Sequence, residues 1–306
     1  MRKVEVEKVH RMKGERTFHY IALTVISLLA IYCIIPFILM VAISFSSEES
    51  LTLSGYRFWP GEISFAAYEY LWGKRITIAR CYMLTIIVTV VGTLTNLVIT
   101  SMFAYPLSRQ DFRQRNVFAF ILFFTTLFNG GLTASYIVWT NVFHVKDTIW
   151  GLLLPGGLMG AMNVLMVRNY FNANIPYAIV EAARIDGASD VRIYTSLMVP
   201  LSKPVLCTIG LFAALGYWNN WTNGLYYISK SKLFTIQVYL QRLMNNIQYL
   251  KSSDNAMEQA ALAFKTMPTE GARMAIAIIA ILPILMVYPF IQKELLKGMV
   301  VGGVKG

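Results

Sequence analysis

Apolar residues fall in six long runs separated by short polar segments. A helix needs about 20 largely apolar residues to cross the hydrocarbon core of a bilayer. The runs at 18–46, 82–107, 116–143, 149–167, 204–228 and 272–292 predict six spans, and an even number puts both termini on the same side. The first, centred on IALTVISLLAIYCIIPFILMVAI, is too long for the apolar core of a signal peptide and shows no small-residue cleavage site. It reads as a retained span with a kink at Pro36. Segment 233–247 has a different pattern. Ile236, Leu240, Leu243 and Ile247 share one helical face and Gln237, Gln241 and Asn245 another, which predicts an amphipathic helix packed on the outer face. Between the fourth and fifth runs, Glu181 to Ile185 form helix readily, Asp186-Gly187 interrupts, and Ala188 to Leu197 permit helix again. Glycine suits the sharp turn, and Pro200 and Pro204 re-aim the chain into the fifth run. No linker or internal repeat divides the chain, so the pattern predicts an N-terminal tail, 1–17, and one all-α integral membrane domain, 18–306.

Composition agrees with this reading. The chain is 56% hydrophobic and 14% charged, with a mean hydropathy of +0.54, where a soluble domain carries about 25% charged residues. The net charge of +11 would suggest nucleic acid in a soluble chain. No contiguous basic and aromatic stretch supports that here. In a membrane protein, Lys and Arg set the topology by gathering on the cytoplasmic side. On the six-span pattern, 16 of the 27 Lys and Arg share the side of the termini, led by Arg2, Lys3, Lys8, Arg11, Lys13 and Arg16. Both termini and the 168–203 segment are therefore expected in the cytoplasm, and 47–81, 144–148 and 229–273 outside. Tyr56, Phe58, Trp59, Tyr68, Tyr70 and Trp72 in the first outer segment suit the membrane interface.

Catalytic and metal-binding patterns are missing from the sequence. No G-x-x-x-x-G-K-[ST] phosphate loop occurs, so the chain has no means of hydrolysing ATP itself. His10, His19 and His144 form no metal-ligand spacing, and Cys33, Cys81 and Cys207 lie too far apart for a cluster. No acidic residue sits deep in a span, which argues against a proton-driven carrier. A membrane enzyme would need a nucleophile and base or a metal, and a sensor would need a sizeable soluble domain. The polar residues inside the spans are uncharged, among them Asn96, Asn129, Asn163 and the Asn219, Asn220, Asn223 set. Each single amide reads first as an interhelical hydrogen bond, worth about 1 kcal/mol. GYWNNWTNGLYY is denser. Aromatic rings cover the C–H face of a sugar, and amides both donate to and accept from its hydroxyls. Trp218, Asn219, Asn220 and Trp221, with Asn129 and Asn163, are candidates for a sugar path, and the stretch equally suits an interfacial belt.

The segment IPYAIVEAARIDGASDVRIYTSLMVPLSKP resembles the cytoplasmic signature of permease subunits of bacterial ABC importers. That signature runs E-A-A, three residues, G, nine residues, I-x-L-P. Here Glu181-Ala182-Ala183 precede Gly187, and nine residues later come Leu197-Met198-Val199-Pro200, with Leu for Ile and Val for Leu as departures. The fuller segment and the terminal LLKGMVVGGVKG look like the carbohydrate-uptake class, which includes MalG-like subunits of maltose importers and related oligosaccharide and polysaccharide permeases. The resemblance covers about 82–306. It implies a type I importer permease fold with six spans and a cytoplasmic coupling helix pair in a loop at about 169–203. It also implies a second permease subunit, two copies of an ATPase carrying ATP and Mg, an extracellular solute-binding protein and a bacterial inner-membrane location. Carried onto this chain, Glu181, Ala182, Ala183, Asp186 and Gly187 dock on the ATPase, and Pro200 fixes the return. A permease for an amino acid or polyamine is the alternative within transport. A dedicated cation site would want acidic residues in the cavity.

Overall fold

The computed structural model describes residues 13–128, 130–252 and 269–303. Among the described residues it is all-helical, with one isolated antiparallel bridge between Ser46 and Ile63. Among the described residues three helices are long and apolar enough to cross a membrane, Phe18–Ser44, Arg75–Ser108 and Glu270–Pro289, and two sharply bent helix pairs raise that count to as many as five.

The chain forms two compact units. The first comprises Met1–Gly73 and Asp254–Ile278. Its helix α1 (Lys13–Ser44) runs through Pro36 without ending. Helix α2 (Glu48–Ser54) is capped by the Ser47 hydroxyl, which accepts from Ser50 N, and α3 (Ala66–Gly73) follows. Phe45 stacks on Tyr68, ring centroids 4.8 Å apart, and Ser44 Oγ meets the Tyr68 hydroxyl at 2.9 Å. The start of the last helix, α15 (Thr269–Gly303), belongs here too. The backbone N–H of Glu270 donates to the Glu48 carboxylate, which suits an anion at a helix N-terminus.

The second unit, Lys74–Ser253 with Ile279–Gly306, carries the functional elements. Its spine is α4 (Arg75–Ser108). After it come α5 (Arg115–Leu127), α6 (Gly131–Ile137) extended by a π-turn to Val142, α7 (Trp150–Leu153) and α8 (Ala161–Asn174). Then follow α9 (Tyr177–Ile185), α10 (Asp190–Ile193), a π-turn to Met198, α11 (Val199–Leu201), α12 (Lys203–Trp218), α13 (Trp221–Tyr227) and α14 (Ile236–Ser252). Helices α8 and α12 pack along α4. Small residues permit the close approach: a Cβ on Gly92 would lie 2.6 Å from the Tyr217 ring, and one on Gly210 3.2 Å from Leu97. The main core joins Ala104, Leu107, Val164, Val167, Phe171, Val180, Ile193, Met198 and Ile209.

Three of the expected spans are not single helices. The third, 116–143, is carried by two helices, Arg115–Leu127 and Gly131–Val142, at 111° to each other, with Gly131 at φ +78. The fourth, 149–167, divides into α7 and α8, because Pro155 has no amide hydrogen to give and Gly156 and Gly157 take φ of +93 and +90. The fifth, 204–228, stops at Trp218 and restarts at Trp221. A broken helix inside a bilayer needs other partners for its backbone groups. Here the buried Asn223 supplies them, its amide donating to the Leu152 carbonyl at 3.3 Å and the Pro155 carbonyl at 2.6 Å. The Asn220 side chain caps α13 by accepting from Asn223 N at 3.0 Å. The expected helix at 233–247 is α14, with Ile236 and Leu243 buried. Its first backbone N–H donates to the Thr85 hydroxyl on α4 at 2.9 Å.

Replacing Asn223 with Leu would leave two buried carbonyls without their donor, at about 1–3 kcal/mol. Thermal unfolding of the detergent-purified protein should fall clearly for Asn223→Leu. It should barely move for Asn219→Ala, because that exposed amide donates only to Leu215 O of its own helix.

Candidate functional site: the anchored helix pair at the end of α4

Helix α9 buries Val180, half-buries Ala183 and leaves Glu181, Ala182 and Arg184 in the open. Its end follows directly from the residues DGASD. Gly187, at φ +80, donates to Arg184 O at 2.9 Å, and Ala188 N donates to Ala183 O at 2.9 Å. This is a Schellman termination, which requires the left-handed backbone that glycine tolerates. The next helix begins at once, with Ser189 Oγ accepting from Arg192 N and Asp190 in the first turn. The tip of the turn presents Ile185 (87% exposed) and Val191 (72% exposed), aliphatic side chains on either side of Gly187. An exposed apolar pair on a rigid turn is a feature of docking surfaces.

The helix pair is held by charge. Arg109, at the C-terminal end of α4, is only 5% exposed. Its Nε and Nη2 donate to the two oxygens of Asp111 at 3.0 and 2.9 Å, while Nη1 donates to the Tyr105 hydroxyl at 2.6 Å and to Asp190 Oδ1 at 3.2 Å. Arg184 closes the ring, donating to Asp111 at 2.8 Å and to Asp190 at 3.1 Å. Two arginines and two aspartates thus alternate, and both halves of the helix pair are tied to the end of α4. Side-chain hydrogen bonds from Arg109, with help from Arg184 and against the cost of burial, hold the Asp111 carboxyl down to about 2. The Arg184 guanidinium is shifted up, first by its hydrogen bond with Asp190 and then by Asp111.

Further hydrogen bonds and ring contacts extend the anchorage. Ser101 Oγ on α4 meets the Tyr194 hydroxyl at 2.7 Å, and the rings of Tyr105 and Tyr194 lie 5.6 Å apart. Arg168 of α8 donates to Leu107 O at 3.0 Å and to Asn116 at 3.3 Å. A cavity of about 170 Å3 lies behind α9, lined by Arg109, Phe171, Asn174, Val180 and Met198 among others. The chain then bends by 81° between Asp190–Leu201 and α12. Pro200 is exposed in the turn before the bend.

Of the residues singled out from sequence, Glu181, Ala182, Asp186 and Gly187 lie exposed on one surface with Ala183 half-buried behind them. The sugar-path candidates are more dispersed. Trp218 is buried, its Nε1 donating to Ala280 O at 3.3 Å, and Asn220 is occupied as a cap. Asn219 and Trp221 are exposed, Asn163 is half-buried next to Gly160, and Asn129 lies outside the described residues. Sequence reasoning missed Tyr105, Arg109, Asp111 and Asp190 as functional groups. Arg109 had counted only toward topology, and nothing in a linear pattern marks its pairing with Asp190, 81 residues away.

Comparison with known proteins places the fold. The family described as "Binding-protein-dependent transport system inner membrane component" matches residues 16–301. Protein LplC of Bacillus subtilis (strain 168) is 33% identical over 302 residues, spanning 99% of each chain. The polygalacturonan/rhamnogalacturonan transport system permease protein YtcP of the same organism is 34% identical over 292 residues, covering 95% of this chain and 99% of that one. Among solved structures, a bacterial ABC transporter involved in the import of the acidic polysaccharide alginate superposes with a TM-score of 0.77 at 31% identity, over 92% of this chain and 98% of that one.

The ring's pH dependence follows from the depressed Asp111 carboxyl. Unfolded Asp titrates near about 3.9, so the stabilisation is fully present above about pH 4 and is lost as pH falls through about 2. Thermal stability in detergent should therefore be insensitive to this group from neutral pH down to about pH 4, and Asp111→Asn should remove its share of the loss below that. Arg109→Ala should raise hydrogen exchange across 177–201 while leaving α4 protected. Unchanged exchange there would mean that the ring does not hold the helix pair.

Proposed function

The chain belongs to the family of binding-protein-dependent transport system inner membrane components, and from that membership we propose that it is a permease subunit of an ATP-driven importer of oligosaccharides, moved by an ATPase that docks on the 177–201 helix pair. It is a membrane transport subunit rather than an enzyme. The sugar-transport names of its relatives and the polysaccharide importer among its structural neighbours support the substrate class.

One observation carries the coupling assignment. The segment with the signature Glu181-Ala182-Ala183 and Gly187 is an exposed helix–turn–helix, and a four-charge ring fastens it to the spine of the second unit. A push on Ile185, Gly187 or Val191 therefore reaches α4 through Arg109 and α12 through the 81° bend, instead of being absorbed by a loose loop. On this reading both termini and the ring face the cytoplasm, and six spans cross the bilayer, with the divided 149–167 segment as the fourth. A second permease completes the pore. Two ATPase subunits close on ATP and carry the helix pairs with them, and the pore opens to the outside, where a solute-binding protein releases sugar. This chain supplies the lever and the path, and the chemistry of ATP stays on its partners.

In a reconstituted complex, Glu181→Lys and Gly187→Asp should insert normally yet lower substrate-stimulated ATPase activity and uptake by on the order of tenfold, the effect of about 1.4 kcal/mol. Normal transport by both variants would remove the coupling assignment. The aromatic–amide stretch separates by position. Trp218→Ala should cost stability, about 3–5 kcal/mol for an emptied aromatic site, whereas Trp221→Ala should leave stability intact and weaken apparent sugar affinity. If Trp221→Ala transports with unchanged affinity and rate, the path runs elsewhere.

A further inference from the structure

Helix α15 runs through Pro283 and Pro289 without ending. A proline inside a helix has no N–H for the carbonyl four residues before it, and its ring crowds that carbonyl. At Pro283 the carbonyl set free is that of Ile279, and a group outside the helix takes it up: the Tyr82 hydroxyl of α4 donates to it. One residue on, Ala280 O accepts from Trp218 Nε1 at 3.3 Å. Tyr82, Trp218, Ile279 and Ala280 all belong to the second unit. Helices characteristically bend where a proline opens the ladder. At that point α15 is held by one side chain from α4 and one from α12.

Both donors lie on the body that the helix pair would move. Their rings are 6.4 Å apart, and α12 packs along α4. Tyr217, next to Trp218, has its ring against Gly92 of α4, where a Cβ would lie 2.6 Å from it. Trp218 is the last residue of α12. The first, Lys203, lies about 22 Å away at 1.5 Å per residue and follows the 81° bend out of the 190–201 segment. The charge ring ties the same segment to α4. The helix pair is therefore connected to the hold on α15 by two routes, α12 to Trp218 and α4 to Tyr82. Two side-chain hydrogen bonds give a modest net stabilisation. That is enough to set the direction in which α15 leaves Pro283, and little enough to be exchanged in a cycle driven by ATP.

We infer that Tyr82 and Trp218 are positioning residues for transport. They set the course of α15 at Pro283, and a displacement of the helix pair reaches the last span through them. The inference rests on the permease reading above. Both side chains act through the Ile279 and Ala280 carbonyls, and on the sugar only through α15.

The test uses the whole complex in proteoliposomes with its solute-binding protein. A panel of radiolabelled neutral and uronic oligosaccharides is offered, and one that the wild type imports is kept for the variants. Two quantities are read, the thermal midpoint and the ATP hydrolysed per sugar imported. Tyr82→Phe keeps the ring and removes the donor, and Trp218→Phe does the same in a smaller side chain. Each should raise ATP per sugar by about threefold, the scale of one net hydrogen bond. A lower thermal midpoint with ATP per sugar unchanged marks a static brace and overturns the proposal. Pro283→Ala restores an N–H for Ile279 O. Made together with Tyr82→Phe, it should return the thermal midpoint to that of the wild type and leave ATP per sugar high, because α15 no longer bends there. If Tyr82→Phe costs as much stability with Ala at 283 as with Pro, Tyr82 does not serve the freed carbonyl and the proposal falls. Variants that match an importing wild type in ATP per sugar remove the positioning role and leave the permease reading standing. A wild-type complex that imports none of the oligosaccharides removes both.

Discussion

A nearly buried guanidinium cannot be left without partners, and Arg109 is that group in this protein. Burial of an unpaired charge costs several kcal/mol, so the end of α4 is obliged to recruit carboxylates. It takes one from its own loop, Asp111, and one from the start of α10, Asp190. Asp190 is shared with Arg184 of α9, so satisfying one charge immobilises two helices at once. A helix pair with an exposed apolar tip becomes an extension of the spine. The same four groups bound to water instead would leave a flexible loop unable to pass on a displacement.

The bilayer imposes a parallel demand on the backbone. Helices α7 and α8, and α12 and α13, are interrupted where Pro and Gly end the regular ladder or where two Asn residues intervene. Each interruption is met by a side-chain amide: Asn223 on the carbonyls of Leu152 and Pro155, Asn220 on the N–H of Asn223. The dense amide content of the fifth run is thus partly a device for keeping broken helices satisfied in an apolar medium. That leaves Asn219 and Trp221 as the exposed candidates of the stretch.

Much of this was legible in the residue order. Long apolar runs announced the membrane, because transfer of apolar side chains from water depends on composition and not on partners. The turn at 186–189 was legible because its determinants are local: Gly187 tolerates a positive φ, and Ser189 and Asp190 begin a helix. The spacing from Glu181 through Gly187 to Pro200 was likewise enough to single out the segment that folds as the exposed helix pair.

What the tertiary structure alone decided is where runs break and which charges meet. Hydropathy averages across Gly131, Pro155 and Asn219, so three apparent spans conceal interruptions, and at one of them the freed carbonyls of Leu152 and Pro155 are met by Asn223 far along the chain. The ring joins positions 109, 111, 184 and 190. Local propensity and hydrophobic period act within a turn or two of helix, and the sequence determined those features by itself. Pairing across some 80 residues depends on the packing of α8 and α12 along α4, which brings such groups within hydrogen-bonding distance only once the helices are assembled.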